Sequence, residues 1–316
     1  MDNRKREHQP ATTDCKYKYL LRAAYIGGTF QHEMTENEFL KIVAARAFIQ
    51  EYMRFEETYL QLLFSFESYE SFTLTSALNY YLFPQIDYEY MGDLRLKANV
   101  QVLGFLNSLT SLKDQFPKFK QSRTGDIHSK FGRLWADKKA TSIAFRFCER
   151  LRNYAQHQTQ PVDLVTLGGK WDEARLYLEQ HLSVFVTTNE VCINRQIKAA
   201  ERDEYTSFFG AKCDVSLILR EALAAVGEIV KVVRDELKEN FSDSMLTYEN
   251  QLELVHNKVG PIPVEIVKSY NNNAIESHSI FSEFSDRAKR LRKTHAMANN
   301  HQHYISNRAR GHSGGA

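Results

Sequence analysis

Residues 146–157 read Arg146-Phe147-Cys148-Glu149-Arg150-Leu151-Arg152-Asn153-Tyr154-Ala155-Gln156-His157, and their spacing is that of a helix with two unlike faces. At 100° per residue, Arg146, Glu149, Arg150, Asn153, Gln156 and His157 share one arc. Ile143, Phe147, Cys148, Leu151, Tyr154 and Ala155 share the other, the core face of a helix entering from Ala140. Phe145 breaks that pattern. Arg152 sits at the rim of the polar arc, about 140° round from His157, so the two side chains of one straight helix do not easily aim at one atom. Asn153 and His157, at i and i+4, do.

Upstream, the spacing predicts more helix. Thr35-Glu36-Asn37-Glu38 is a capping-box pattern, with a hydroxyl for a free N–H and a glutamate for the return bond. It opens a long helix whose apolar positions, from Phe39 and Ile42 through Tyr52 and Leu63 to Phe66, recur at three and four. Ser68 to Phe83 reads as a second segment, aromatic and helical or partly extended, stopped by Pro84. A further helix runs from Asp87 to Phe116 through Leu94, Leu96, Val100, Leu103, Leu106, Leu109 and Leu112, ended by Pro117. A polar, basic loop, Lys118 to Thr124, leads to the helix of residues 146–157, which must end before Pro161. The first thirty or so residues show no strong period.

After Pro161 the texture changes. Val162 to Leu167, then Gly168-Gly169, then β-branched runs around Leu182 to Ile193 predict a small β element of two or three strands. Asp214 can cap a long helix from Val215 to about Asn240, with Ala222, Leu223, Val226, Ile229, Val230, Val233 and Leu237 on one face. Ser242 restarts helix to Lys258, and Pro261 and Pro263 interrupt it before a final helix from Val264 to about Lys293. The expected fold class is therefore predominantly α: a helical bundle, a small β insertion after its Arg146–His157 helix, and a second helical part. The expected segments are an N-terminal stretch 1–34, a bundle 35–160, a mixed part 161–286 and a basic, disordered tail 287–316.

The chain has 316 residues and a formal charge of +2, which hides an asymmetry. Seven of the 41 lysines and arginines fall from Arg287 onward, where there is no Asp or Glu, so the body is mildly acidic and the tail basic. Such a tail is a footprint a polyanion can use. The four cysteines, Cys15, Cys148, Cys192 and Cys213, form no C-x-x-C pair, which argues against a zinc ribbon or disulfide framework and for a reducing cytoplasm. Arg22 breaks the first apolar run, which argues against a signal peptide. Leu217 to Val233 carries Arg220, Glu221, Glu228 and Lys231, so no membrane span is expected. No phosphate-loop, dinucleotide, zincin or serine-hydrolase motif is present: Gly168-Gly169-Lys170 is followed by Trp171, which offers no hydroxyl to magnesium. His295, His301 and His303 of the tail are expected to be solvated, and no metal or cofactor is expected.

What remains is Arg152-Asn153-Tyr154-Ala155-Gln156-His157. Arg123 to His128, Arg175 to His181 and Arg290 to His295 share the loose Arg-to-His spacing, but only Arg152 is followed by Asn and lies on a helix with a clean apolar face. Here the chain resembles the HEPN superfamily (higher eukaryotes and prokaryotes nucleotide-binding), whose ribonuclease members carry Arg, four to six residues, then His, commonly with Asn directly after the Arg. The resemblance implies a HEPN-like helical bundle, RNA as substrate, and a toxin or antiviral defence effector held in check by an inhibitory protein or antitoxin.

The chemistry implied needs no metal, because RNA supplies its own nucleophile in the 2′-OH. His157 is the candidate acid or base, since imidazole titrates near neutrality. Arg152 would hold the scissile phosphate and stabilise charge on its oxygens, and Asn153 would orient His157 or donate to a phosphate oxygen. Arg146 and Arg150 are expected to guide the RNA backbone, with Glu149 holding one of them and Gln156 supporting the same face. Because Arg152 and His157 diverge on one helix, a twofold homodimer is expected, Arg152 of one subunit approaching His157 of the other. Two other readings stay open: a non-catalytic helical adaptor or antitoxin-like module that docks through the polar arc, and a nucleic-acid-binding regulator that uses the basic tail.

Overall fold

Glu38 N–H donates to Thr35 Oγ1 at 3.2 Å and Thr35 N–H donates to Glu38 Oε2 at 2.7 Å, closing the expected capping box. The structure, a computed structural model, describes residues 17–25, 28–84, 87–117, 119, 125–171, 178–193 and 197–293. In chain order the described elements begin β1 (Lys18–Ala23), β2 (Gln31–Met34), α1 (Glu36–Leu82), α2 (Tyr88–Asp114), α3 (Ile127–Thr141) and α4 (Ile143–His157). Then come β3 (Leu164–Trp171), β4 (Leu178–Thr187), α5 (Thr188–Cys192), α6 (Ala199–Phe209), β5 (Lys212–Asp214) and α7 (Val215–Glu236). The last are α8 (Lys238–Val259), β6 (Val264–Tyr270), β7 (Asn273–Ile280) and α9 (Ser282–Lys293). The protein is predominantly helical with small antiparallel sheets, and no helix among the described residues is long and apolar enough to cross a membrane.

These elements fall into two units, Met1–Gln50 with Asn240–Arg290 and Glu51–Glu239 with Leu291–Ala316. The first unit joins segments from both ends of the chain, because β1 pairs with β6. In the first unit the sheet order is β2-β1-β6-β7. Two expectations are corrected there. The opening residues contain β1, whose alternate burial of Tyr19, Leu21 and Ala23 is too short a pattern to stand out alone. The final helix is not continuous from Val264: residues 264–280 form a hairpin, and helix resumes only at Ser282. Gly260 (φ 83°) ends α8 in the left-handed region, and Asn271 (φ 49°) and Asn272 (φ 62°) make the two-residue turn between β6 and β7. Tyr248 ties α8 to the chain entering α9, its hydroxyl accepting from Phe281 N–H at 2.8 Å and donating to Phe281 O at 3.2 Å.

The second unit carries the Arg146–His157 helix. Ser68 to Phe83 is no separate segment but the continuation of α1, which holds no Gly or Pro and buries Tyr69, Thr73 and Ala77. Asp87 caps α2 by accepting from Tyr90 N–H at 2.7 Å. Along α2, Leu94, Leu106, Leu109 and Leu112 are buried as expected, but Leu96 and Val100 face outward, and Ala98, Asn99, Val102 and Phe105 take the interior. Asn99 clamps the chain leaving α4: its Nδ2 donates to Val162 O at 3.2 Å and its Oδ1 accepts from Val162 N–H at 2.9 Å. The strands β3-β4-β5 form one antiparallel sheet, in which Gly168 and Gly169 lie inside β3 opposite His181 and Gln180, and the run to Ile193 ends in helix α5 instead of strand.

Asp214 caps α7 through Ser216 N–H at 2.8 Å. Two buried arginines bind α7 to α1: Arg220 meets Glu70 at 2.8 and 2.7 Å, and Arg234 meets Glu56 at 2.9 and 2.6 Å. Residues 287–293, assigned to the tail on sequence, are helical, with Ala288 and Leu291 buried; residues 294–316, with the three tail histidines, lie outside the described residues.

Candidate functional site

Ser142 interrupts the helix expected to run in from Ala140. Its hydroxyl accepts from Phe145 N–H at 3.2 Å, ending α3 and starting α4. The break turns Phe145 inward, where its ring meets Trp135 edge-on with centroids 5.0 Å apart. Phe145 therefore belongs to the buried face and does not interrupt it. Phe147, Cys148, Leu151 and Tyr154 are buried as the period requires, and Cys148 Sγ lies 3.8 Å from Ile218 O of α7. Burial and the nearby Glu190 carboxylate push the Tyr154 phenol up to about 12, so it stays a neutral donor, 3.3 Å from Glu190 Oε2.

The polar arc splits four ways. Arg146 and Arg150 turn to α6: Arg150 Nε and Nη2 donate to Glu201 Oε1 and Oε2 at 3.1 Å each, and Arg146 meets Glu204, Tyr205 and Lys139 O. Both are thus engaged with α6 instead of standing open to a polyanion. Glu149 holds neither arginine. It turns to α2 and α3, accepting from Lys113 Nζ at 3.1 Å, from Trp135 Nε1 at 2.9 Å and from Lys139 Nζ. Burial alone would raise its carboxyl, but the bonds from Lys139, Trp135 and Lys113 outweigh that and hold it below its ordinary value.

Arg152 and Asn153 form the third group. With Lys113, Asp114, Trp135, Lys139 and Glu149 they line a hollow of about 250 Å³ between α2, α3 and α4. Arg152 Nη1 donates to Asn153 Oδ1 at 3.4 Å, and its Nε is buried with no hydrogen-bond partner among the described residues. Gln156 and His157 are exposed at the end of α4, and His157 is not part of the hollow's lining. Within one chain the structure brings Arg152 to Asn153 and leaves His157 apart, as the angle between them on the helix requires.

No family model, curated protein or solved structure matches the chain.

Lys113, Lys139 and Trp135 were not singled out on sequence. A partial signal was present: Lys113 lies in the last turn of α2, and Lys138 and Lys139 in the last turn of α3, where cations complement the helix dipole. That both ends meet beside α4 is a tertiary fact. Among the described residues no group of three His, Cys, Asp or Glu side chains is placed to hold a metal ion.

Proposed function

We propose that the protein is a metal-independent endoribonuclease of HEPN type, in which Arg152 holds an RNA phosphate and His157 moves the proton. The observation that carries this reading is the contrast among the three arginines of α4. Arg146 and Arg150 are engaged by carboxylates of α6, whereas Arg152 has no carboxylate partner among the described residues and borders a hollow with two lysines. A planar guanidinium beside two ammonium groups suits a tetrahedral oxyanion. The 2′-OH then attacks phosphorus, its proton passing to a base, and the bond to the 5′-oxygen breaks, leaving a 2′,3′-cyclic phosphate and a 5′-hydroxyl. His157 serves as that base or as the acid that protonates the leaving oxygen. Since it stands outside the hollow of its own chain, a second subunit brings it to Arg152.

The test is cleavage of single-stranded RNA in EDTA. The wild type is expected to cut and leave 2′,3′-cyclic ends, and Arg152→Ala and His157→Ala each to lose about 100-fold or more. Variants that cut at the wild-type rate overturn the assignment. A second reading, a non-catalytic interaction module, draws on the exposed α1 stripe of Leu74, Leu78, Tyr81 and Leu82. It expects RNA to stay intact under every condition tried.

A further inference from the structure

We infer that the hollow between α2, α3 and α4 is a pocket for one RNA backbone phosphate, and that Glu149 occupies its cationic donors until the phosphate displaces it. The inference rests on the reading of Arg152 as a phosphate ligand, not on any cleavage chemistry. At about 250 Å³ the hollow falls below the roughly 300–1,000 Å³ of ordinary small-molecule sites. It accommodates a group, not a whole nucleotide. Its donors come from three elements: the ammonium groups of Lys113 on α2 and Lys139 on α3, and the guanidinium and amide of Arg152 and Asn153 on α4.

Some polar groups of the lining are already engaged. Thr110 donates to Leu106 O at 3.0 Å, and Trp135 Nε1 to Glu149. Arg152 Nε is a buried donor with no acceptor among the described residues. Such a group is costly to leave unmade, and among the described residues no carboxylate holds the Arg152 guanidinium as Glu204 and Glu201 hold Arg146 and Arg150. Three cations face two carboxylates, Glu149 and Asp114, so one positive charge is in excess. Glu149 takes both lysines with a single carboxylate. A phosphate offers the same lysines more oxygens and reaches Arg152 as well. Access is thus a competition between an internal and an external anion for one set of donors.

Glu149→Gln separates this role from a structural one. Glutamine keeps an oxygen to accept from Trp135 Nε1 but releases the charge that holds Lys113 and Lys139. With inorganic phosphate as probe and intrinsic fluorescence or phosphorus NMR as readout, Glu149→Gln is expected to bind roughly tenfold tighter than wild type. Lys139→Gln, Lys113→Gln and Arg152→Lys should each bind roughly tenfold weaker, the effect of one charge-assisted bond. Lys113 and Lys139 are partly exposed at the hollow, so their variants keep the fold. Phosphate binding that Glu149→Gln leaves unchanged or weakens overturns the inference, as does binding indifferent to both lysines, or no binding by wild type and Glu149→Gln alike. No RNA is cut in this measurement, so a pocket that binds phosphate in a protein that never cleaves RNA removes the nuclease reading alone. A protein that cleaves RNA but shows no such pocket removes the inference alone.

Discussion

Arg150 of α4 and Glu201 of α6 face each other as two parallel forks, both N–O distances being 3.1 Å, with Tyr205 donating to the same carboxylate at 2.7 Å. This fixes α4 against α6. Arg150→Lys cannot reproduce the two-pronged geometry. The variant is expected to lose about 1–2 kcal/mol in urea unfolding, while RNA affinity per folded molecule stays at the wild-type value. A drop in affinity without a drop in stability would return Arg150 to the substrate face.

The separation of Arg152 from His157 predicts complementation. If one site takes Arg152 from one subunit and His157 from the other, an equal mixture of Arg152→Ala and His157→Ala proteins, unfolded and refolded together, regains activity. Half of the random dimers are mixed and each has one intact site of two, so about one quarter of the wild-type rate is expected. Either variant alone stays inactive. A mixture that remains inactive despite demonstrated subunit exchange excludes the composite site.

Glu149 predicts a pH dependence of stability. Its folded carboxyl titrates below the ordinary value, so its ion pairs contribute fully above that ordinary value and are lost as pH falls through the lower folded one. Glu149→Gln lacks this contribution. Urea midpoints should show the largest gap between wild type and variant near neutral pH, closing as pH falls below the ordinary carboxylate range. A gap that widens on acidification contradicts the assignment.

Arg234 and Glu56 are a buried pair, bonded at 2.9 and 2.6 Å. Glu56→Leu alone leaves a guanidinium in the interior and is expected to cost about 3–5 kcal/mol. Adding Arg234→Met should recover most of that loss, because two apolar side chains need no desolvated charge. Guanidinium denaturation of both variants checks the pair, and equal losses for single and double variants refute the account.

Three helix starts are legible in the sequence alone. Thr35 with Glu38, Asp87 before Tyr90 and Asp214 before Ser216 are bonds closed within three residues, so sequence neighbourhood is the whole of their cause. The β6–β7 hairpin is also local, in the Asn271-Asn272 pair that follows the β-branched run Val264, Ile266 and Val267, but a helical reading of residues 264–293 passes over it. β1 is harder to read, since only one of its two neighbours, β2, is near in sequence and the other, β6, lies at the far end of the chain.

The sequence by itself determined the faces of α4: its buried Phe147, Cys148, Leu151 and Tyr154, and the divergence of Arg152 from His157, all of which follow from 3.6 residues per turn. Only the tertiary structure decided what each polar side chain of that helix does. Lys113 and Glu201 stand 36 and 51 residues from their partners Glu149 and Arg150. An ion pair is a matter of distance in space, so packing chose which arginines took carboxylates and which one was left facing a hollow.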